Sequence, residues 1–178
     1  MKKFFSLILV MLLICTNHVE AHAVAFEVNT DADVIRAGEQ VSVTIKLDKT
    51  IPEGDEITTV QGELYYNPSV LTYVSHEMEK DYKHFMSMNR EEKERFQFSK
   101  TSMDNSPFEV PKGEMVTVVF ESAKDISEPE LTETFKLKMK MSTVKAEITE
   151  VSADALIVIC QEQVDISKVE LPEQTEGT

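Results

Sequence analysis

The sequence predicts an all-β fold built as a two-layer sandwich, and three observations carry that reading. Apolar residues recur at every second position in several separate stretches, the spacing of strands with one buried and one wet face. Turn-forming residues separate those stretches. Third, residues 60–74 (VQGELYYNPSVLTYV) read as a strand, a corner and a second strand. Val60, Leu64 and Tyr66 share one parity, and Gln61, Glu63 and Tyr65 the other. Asn67-Pro68-Ser69 then stops the strand, because proline lacks the ladder donor and fixes φ while asparagine accepts turn geometry. Leu71 and Tyr73 restart an extended run, so one sheet edge folds across a sandwich core.

The N-terminal residues read as a secretory leader, 1–23. Lys2 and Lys3 form its charged end and residues 4–14 its apolar centre, followed by the small-x-small signal Ala21-His22-Ala23, with Val19-Glu20-Ala21 as a competing site. The apolar run is shorter than the roughly 18 to 20 residues of a membrane span, so no stable membrane insertion is expected after cleavage. Cys15 follows the bulky Ile14, where a lipoprotein signal has a small residue. One domain, 24–168, and a linker-like tail, 169–178, account for the rest of the 178 residues.

Within the domain, Val24, Phe26 and Val28 alternate as a first strand, and residues 29–33 turn it. Gly38 opens a second, in which Val41, Val43, Ile45 and Leu47 keep a strict period of two. Residues 48–55, with Pro52 and Gly54, form a loop before the third and fourth strands, 57–66 and 71–77. Between Glu77 and Arg95 the spacing of Met78, Tyr82, Phe85, Met86 and Met88 predicts one inserted helix. Phe96 and Phe98 then point inward and Gln97 and Ser99 outward. Val116, Val118 and Phe120 take the buried parity of the next strand, with Met115, Thr117, Val119 and Glu121 opposite. Lys136, Lys138 and Lys140 alternate with Phe135, Leu137, Met139 and Met141, and lysines in such a row suit a sheet edge. Stretches 144–151 and 156–166 supply the last strands.

The formal charge of −14 argues against nucleic acid, whose phosphates require clustered cations, and against an anionic membrane surface. It serves solubility, or alternatively sets acidic strands toward a basic partner. With Cys15 in the leader, Cys160 is left single in an apolar strand, so no internal disulfide is expected. His76 and His84 lack the further ligands of a zinc site and read as exposed residues. The sequence offers no nucleophile elbow, phosphate loop, calcium loop or carboxylate pair fixed across a cleft. No catalytic residue, cofactor or metal is therefore expected.

The corner Gly62-x-Leu64-x-Tyr66-Asn67-Pro68-x-x-Leu71, followed by Val74-Ser75, resembles that of the cohesin domain family. Residues 37–43 (AGEQVSV), 113–120 (GEMVTVVF) and 135–146 resemble three further stretches of that family in the same order. The resemblance covers most of 26–159. It implies a jelly-roll sandwich of about nine strands, used for binding and not for catalysis, with a calcium-loaded dockerin-type module as partner in polysaccharide breakdown or cell-surface assembly. It also implies a partner face on strands including the third, fifth and sixth. The outward positions there are Thr59, Gln61, Glu63, Tyr65, Gln97, Ser99, Thr117 and Val119. The alternative is direct polysaccharide binding, which relies on exposed planar aromatics. Against it, the chain has no tryptophan and only Tyr65, Tyr66, Tyr73 and Tyr82, of which Tyr66 should be buried.

Overall fold

The computed structural model describes residues 25–48, 56–145, 148–161 and 166–169. The leader with Cys15, Val24, the loop residues 49–55 and the tail from Leu171 lie outside the described residues.

Among the described residues ten strands form: β1 (Phe26–Thr30), β2 (Val34–Arg36), β3 (Gln40–Leu47), β4 (Ile57–Tyr65), β5 (Leu71–Met78), β6 (Met86–Arg90), β7 (Arg95–Thr101), β8 (Gly113–Ser122), β9 (Glu130–Thr143) and β10 (Ile148–Cys160). They make a four-stranded sheet, β1-β3-β8-β5, and a six-stranded sheet, β2-β10-β9-β4-β7-β6. Every ladder is antiparallel except the short β2–β10 pair. The alternating residues close the core as expected. Val41, Val43, Ile45, Leu47, Val116, Val118 and Phe120 face inward from one sheet, and Val60, Leu64, Phe96, Phe98, Phe135 and Leu137 from the other, all fully buried.

The corner after β4 carries the chain from the six-stranded to the four-stranded sheet. The Asn67 carbonyl accepts from the amides of Val70 and Leu71, and its side chain accepts from Ser69 N and donates to Glu133 on β9 at 2.9 Å. Tyr66 packs on Phe120 and donates to Asn89 Oδ1 at 2.9 Å. Gly62 faces inward beneath it. A Cβ there would sit 2.2 Å from the Phe98 ring and 2.8 Å from Met139 Sδ, so only glycine lets β4 pass this close.

Four expectations are corrected. No helix fills 77–95: β5 continues to Met78, 3-10 turns occupy Lys80–Tyr82 and Glu91–Lys93, and β6 lies between them. Met78, Tyr82 and Phe85 are buried, but along a crossing between sheets. β6 hid its period of two because its inward residues are polar. Ser87 meets His76 at 2.7 Å and Asn89 accepts from Tyr66. Met115 is buried instead of outward, because a bulge opposite Ile45/Lys46 turns both Met115 and Val116 inward. β2 was not expected, and the last two expected strands are one, β10, ending at Cys160 with a 3-10 turn at Ile166–Lys168. Finally β9 is no sheet edge. It pairs with β10 on one side and β4 on the other, which places its lysines on a face.

Candidate functional site

The strand registers fix the outer face of the six-stranded sheet as rows of side chains. One row runs Asp154, Lys136, Tyr65, Arg95, Arg90; the next Ser152, Lys138, Glu63, Gln97, Met88; a third Glu150, Lys140, Gln61, Ser99, Met86. Thr59 and Thr101 close β4 and β7 at one end. Thus six of the eight expected residues, Thr59, Gln61, Glu63, Tyr65, Gln97 and Ser99, share one surface. Thr117 and Val119 do not. They lie on β8, in the other sheet, where Thr117 Oγ1 is 3.1 Å from Thr44 Oγ1. The surface also includes residues that alternation alone did not bring to it: Lys136, Lys138 and Lys140, read as an edge, and Met86 and Met88, read as part of a helix.

Glu63 organises the centre. Its Oε1 forms an ion pair with Arg95 Nη1 at 3.1 Å and accepts from Gln61 Nε2 at 3.0 Å, while Oε2 accepts from Tyr65 OH at 2.6 Å. Arg95 Nη1 also donates to Tyr65 OH at 3.3 Å. The Glu63 and Arg95 side chains are only 15% and 21% exposed, so the network is shielded and holds its members in one geometry. Lys138 Nζ lies 5.2 Å and Arg95 Cζ 6.0 Å from the Tyr65 ring centre, so cations frame the aromatic. Beside it a shallow depression of about 160 Å³ is floored by Met139 and flanked by Gln61, Glu63, Lys138, Lys140 and Glu150. A charge-assisted network in which both Glu63 oxygens have partners fixes the direction of its polar groups, which suits recognition.

The remaining candidates are placed elsewhere. His76, expected to be exposed, is half-buried between the sheets: Nδ1 meets Tyr73 OH at 2.6 Å and Nε2 meets Ser87 Oγ at 2.7 Å, and burial lowers its pKa. His84 is exposed and meets Lys100 Nζ at 2.7 Å. Among the described residues no group of three or more His, Cys, Asp or Glu is arranged to hold a metal, and no helix is long and apolar enough to cross a membrane. Tyr82 is buried along with Tyr66. Its hydroxyl donates to the Pro111 carbonyl, and burial followed by the charge of Asp81 raises it to about 12. Tyr73 stacks on Phe96 at 6.2 Å. Cys160 is buried at the end of β10, and burial, then the charge of Glu130, pushes its thiol up.

Comparison with known proteins adds the family. The model of the Cohesin domain matches residues 24–159. Among solved structures, the cohesin module of a Clostridium perfringens family 33 glycoside hydrolase superposes with a TM-score of 0.58 at 13% identity, covering 79% of this chain and 100% of that one. A type I cohesin–dockerin complex from Clostridium thermocellum gives 0.57 at 11% identity, covering 79% and 98%. A type II cohesin domain from the cellulosome of Acetivibrio cellulolyticus gives 0.53 at 17%, covering 77% and 95%. No match is found among curated proteins.

Proposed function

The chain belongs to the cohesin domain family, and from that premise we propose that it is a secreted, non-catalytic module that docks a dockerin-type protein through the outer face of its six-stranded sheet. The observation that carries the reading is the Glu63–Arg95–Tyr65–Gln61 network, a preorganised polar centre on a broad, regular sheet. Solved cohesins in complex with dockerins supply the partner class. The leader-like residues 1–23 support export, and polysaccharide breakdown or cell-surface assembly is the setting the family suggests. Thr59, Gln61, Glu63, Tyr65, Gln97 and Ser99 are the proposed contact residues, with Thr117 and Val119 set apart by the sheet they occupy.

The test is retention of the protein on an immobilised panel of calcium-loaded dockerin modules, with and without chelator, beside a pull-down on insoluble cellulose and chitin. Binding to at least one dockerin, lost on chelation, is expected. Retention on polysaccharide without any dockerin binding would turn the assignment to a carbohydrate-binding module. Within a bound pair, Tyr65→Ala is expected to weaken affinity by about tenfold or more, as central aromatic anchors do. An unchanged affinity removes Tyr65 from the contact set.

A further inference from the structure

The outer face of the six-stranded sheet carries charge of the opposite sign to the chain as a whole. On β9 Lys136, Lys138 and Lys140 project from one face, about 6.6 Å apart along the strand. On β7 and β6, Arg95 and Arg90 stand directly opposite one another in the ladder. The carboxylates among them are Glu63, Asp154 and Glu150. Glu63 is already engaged by Arg95, Tyr65 and Gln61. Glu150 reaches Lys140 at 3.6 Å but is 71% exposed, where an ion pair is worth little. Among the described residues Lys136, Lys138 and Arg90 make no ion pair, and neither does Asp154, which leaves three unpaired cations on the face against one unpaired carboxylate. Like charges set this closely in a sheet repel, so the free face holds cationic density that a partner of opposite sign would relieve.

The outer edge of the same face differs. Met86 and Met88 project from β6, 74% and 53% exposed, as flexible apolar contacts. From β9 to β6 the face spans about 14 Å, three inter-strand gaps, which is roughly one helix diameter with its side chains. We infer that the partner presents an acidic helix: one carboxylate per turn along its side over β9, and apolar residues on the flank over Met86 and Met88. Four residues of helix rise about 6 Å, close to the lysine repeat of about 6.6 Å. This rests on the docking function proposed above and narrows it to the partner's chemistry. An anionic glycan fits less well, because the Tyr65 ring is framed by Lys138 and Arg95 and the exposed methionines have no counterpart on a charged sugar.

The protein is titrated with two alanine-rich helical peptides, long enough at about 16 residues to hold helix. One carries Glu at i, i+4 and i+8 with Leu on the adjoining flank; the other carries Lys at the same positions. Amide chemical shifts map the contact. The acidic peptide is expected to shift β9, β4 and β6, and to weaken about tenfold as salt rises from about 0.05 to 0.3 M. The combined K136E/K138E/K140E variant should lose that binding. The milder K136Q/K138Q/K140Q variant, which adds no new repulsion, should weaken it by several-fold. Equal binding of the basic peptide, no shift on β9, or a map on β3 and β8 overturns the inference. Tighter binding of polygalacturonate oligomers at the same face overturns it in favour of a glycan. A dockerin that binds this face indifferently to salt and to the Gln variant also overturns it, while leaving the docking function intact; an acidic peptide bound there with every dockerin rejected does the reverse.

Discussion

The two outer faces of the sandwich are built from the same kind of strand and carry opposite electrostatics. On the four-stranded sheet Lys46 is the one cation of the ladder rows, held by Glu27 at 3.2 Å, and Glu77, Glu114 and Glu121 complete an acidic surface. The six-stranded sheet carries Lys136, Lys138, Lys140, Arg90 and Arg95 against Glu63, Glu150 and Asp154. A formal charge of −14 describes the first face and misdescribes the second. Net charge speaks to solubility and long-range association; the sign of a docking surface is set by which strand faces the sheet registers bring together. The expectation of acidic strands turned toward a basic partner therefore does not describe this face, on which the unpaired cations Lys136, Lys138 and Arg90 outnumber the one unpaired carboxylate, Asp154.

The comparison breaks most readily beneath the six-stranded face, where its backbone is closest to the core. Gly62→Ala is expected to cost about 1–3 kcal/mol, because the added methyl must displace the Phe98 ring and Met139. A fall of several degrees in Tm checks it, and an unchanged Tm would mean that β4 can lift without loss. The next effect separates the two faces directly. Glu63→Gln leaves Arg95 without its ion pair in a shielded site and should cost about 1 kcal/mol by denaturant titration, with a larger loss in partner affinity. Its counterpart on the other sheet, Glu27→Gln, loosens only the half-exposed pair with Lys46 and is expected to stay within about 0.5 kcal/mol, with partner affinity unchanged. Equal binding losses from the two substitutions would erase the distinction between the faces.

Alternation made most of the core legible in the sequence, because most inward residues of β3, β4, β7, β8 and β9 are apolar and most of their neighbours, Val119 on β8 excepted, are polar. The corner was legible for a different reason: Asn67 and Pro68 carry their own turn chemistry. β6 was not, since Ser87 and Asn89 face inward to satisfy His76 and Tyr66, and a polar inward residue erases the period of two. Sheet membership was equally hidden. Thr117 and Tyr65 have the same outward parity in their strands, and only long-range pairing, β8 with β3 and β5 and β4 with β7 and β9, sets them on opposite sides. Read without that pairing, the lysines of β9 looked like an edge defence when they stand near the middle of a face.

The smallest expected effect lies at the seam between the two sheets. His76 belongs to β5 of the four-stranded sheet and reaches Ser87 on β6 of the six-stranded one, with Tyr73 on its other nitrogen and the Phe96 ring 4.8 Å away. Burial holds its pKa below the ordinary value of 6.5. Protonation need not break either hydrogen bond, since an imidazolium donates from both nitrogens and both hydroxyl oxygens accept; the cost is that of placing charge in a half-dry seam. Below 6.5 the unfolded chain binds more protons at this position than the folded one, so stability falls as pH drops through 6.5 toward the lower folded value, and is fully present above it. His76→Gln, which keeps polar groups in the seam and cannot titrate, should flatten that slope in denaturant titrations between about pH 5 and 7, the range where histidine alone among ordinary side chains changes charge. A stability difference between wild type and His76→Gln that grows in favour of wild type on acidification would show instead that the imidazolium is stabilised in the seam; the difference isolates the imidazole from the relief of self-repulsion in a chain of formal charge −14.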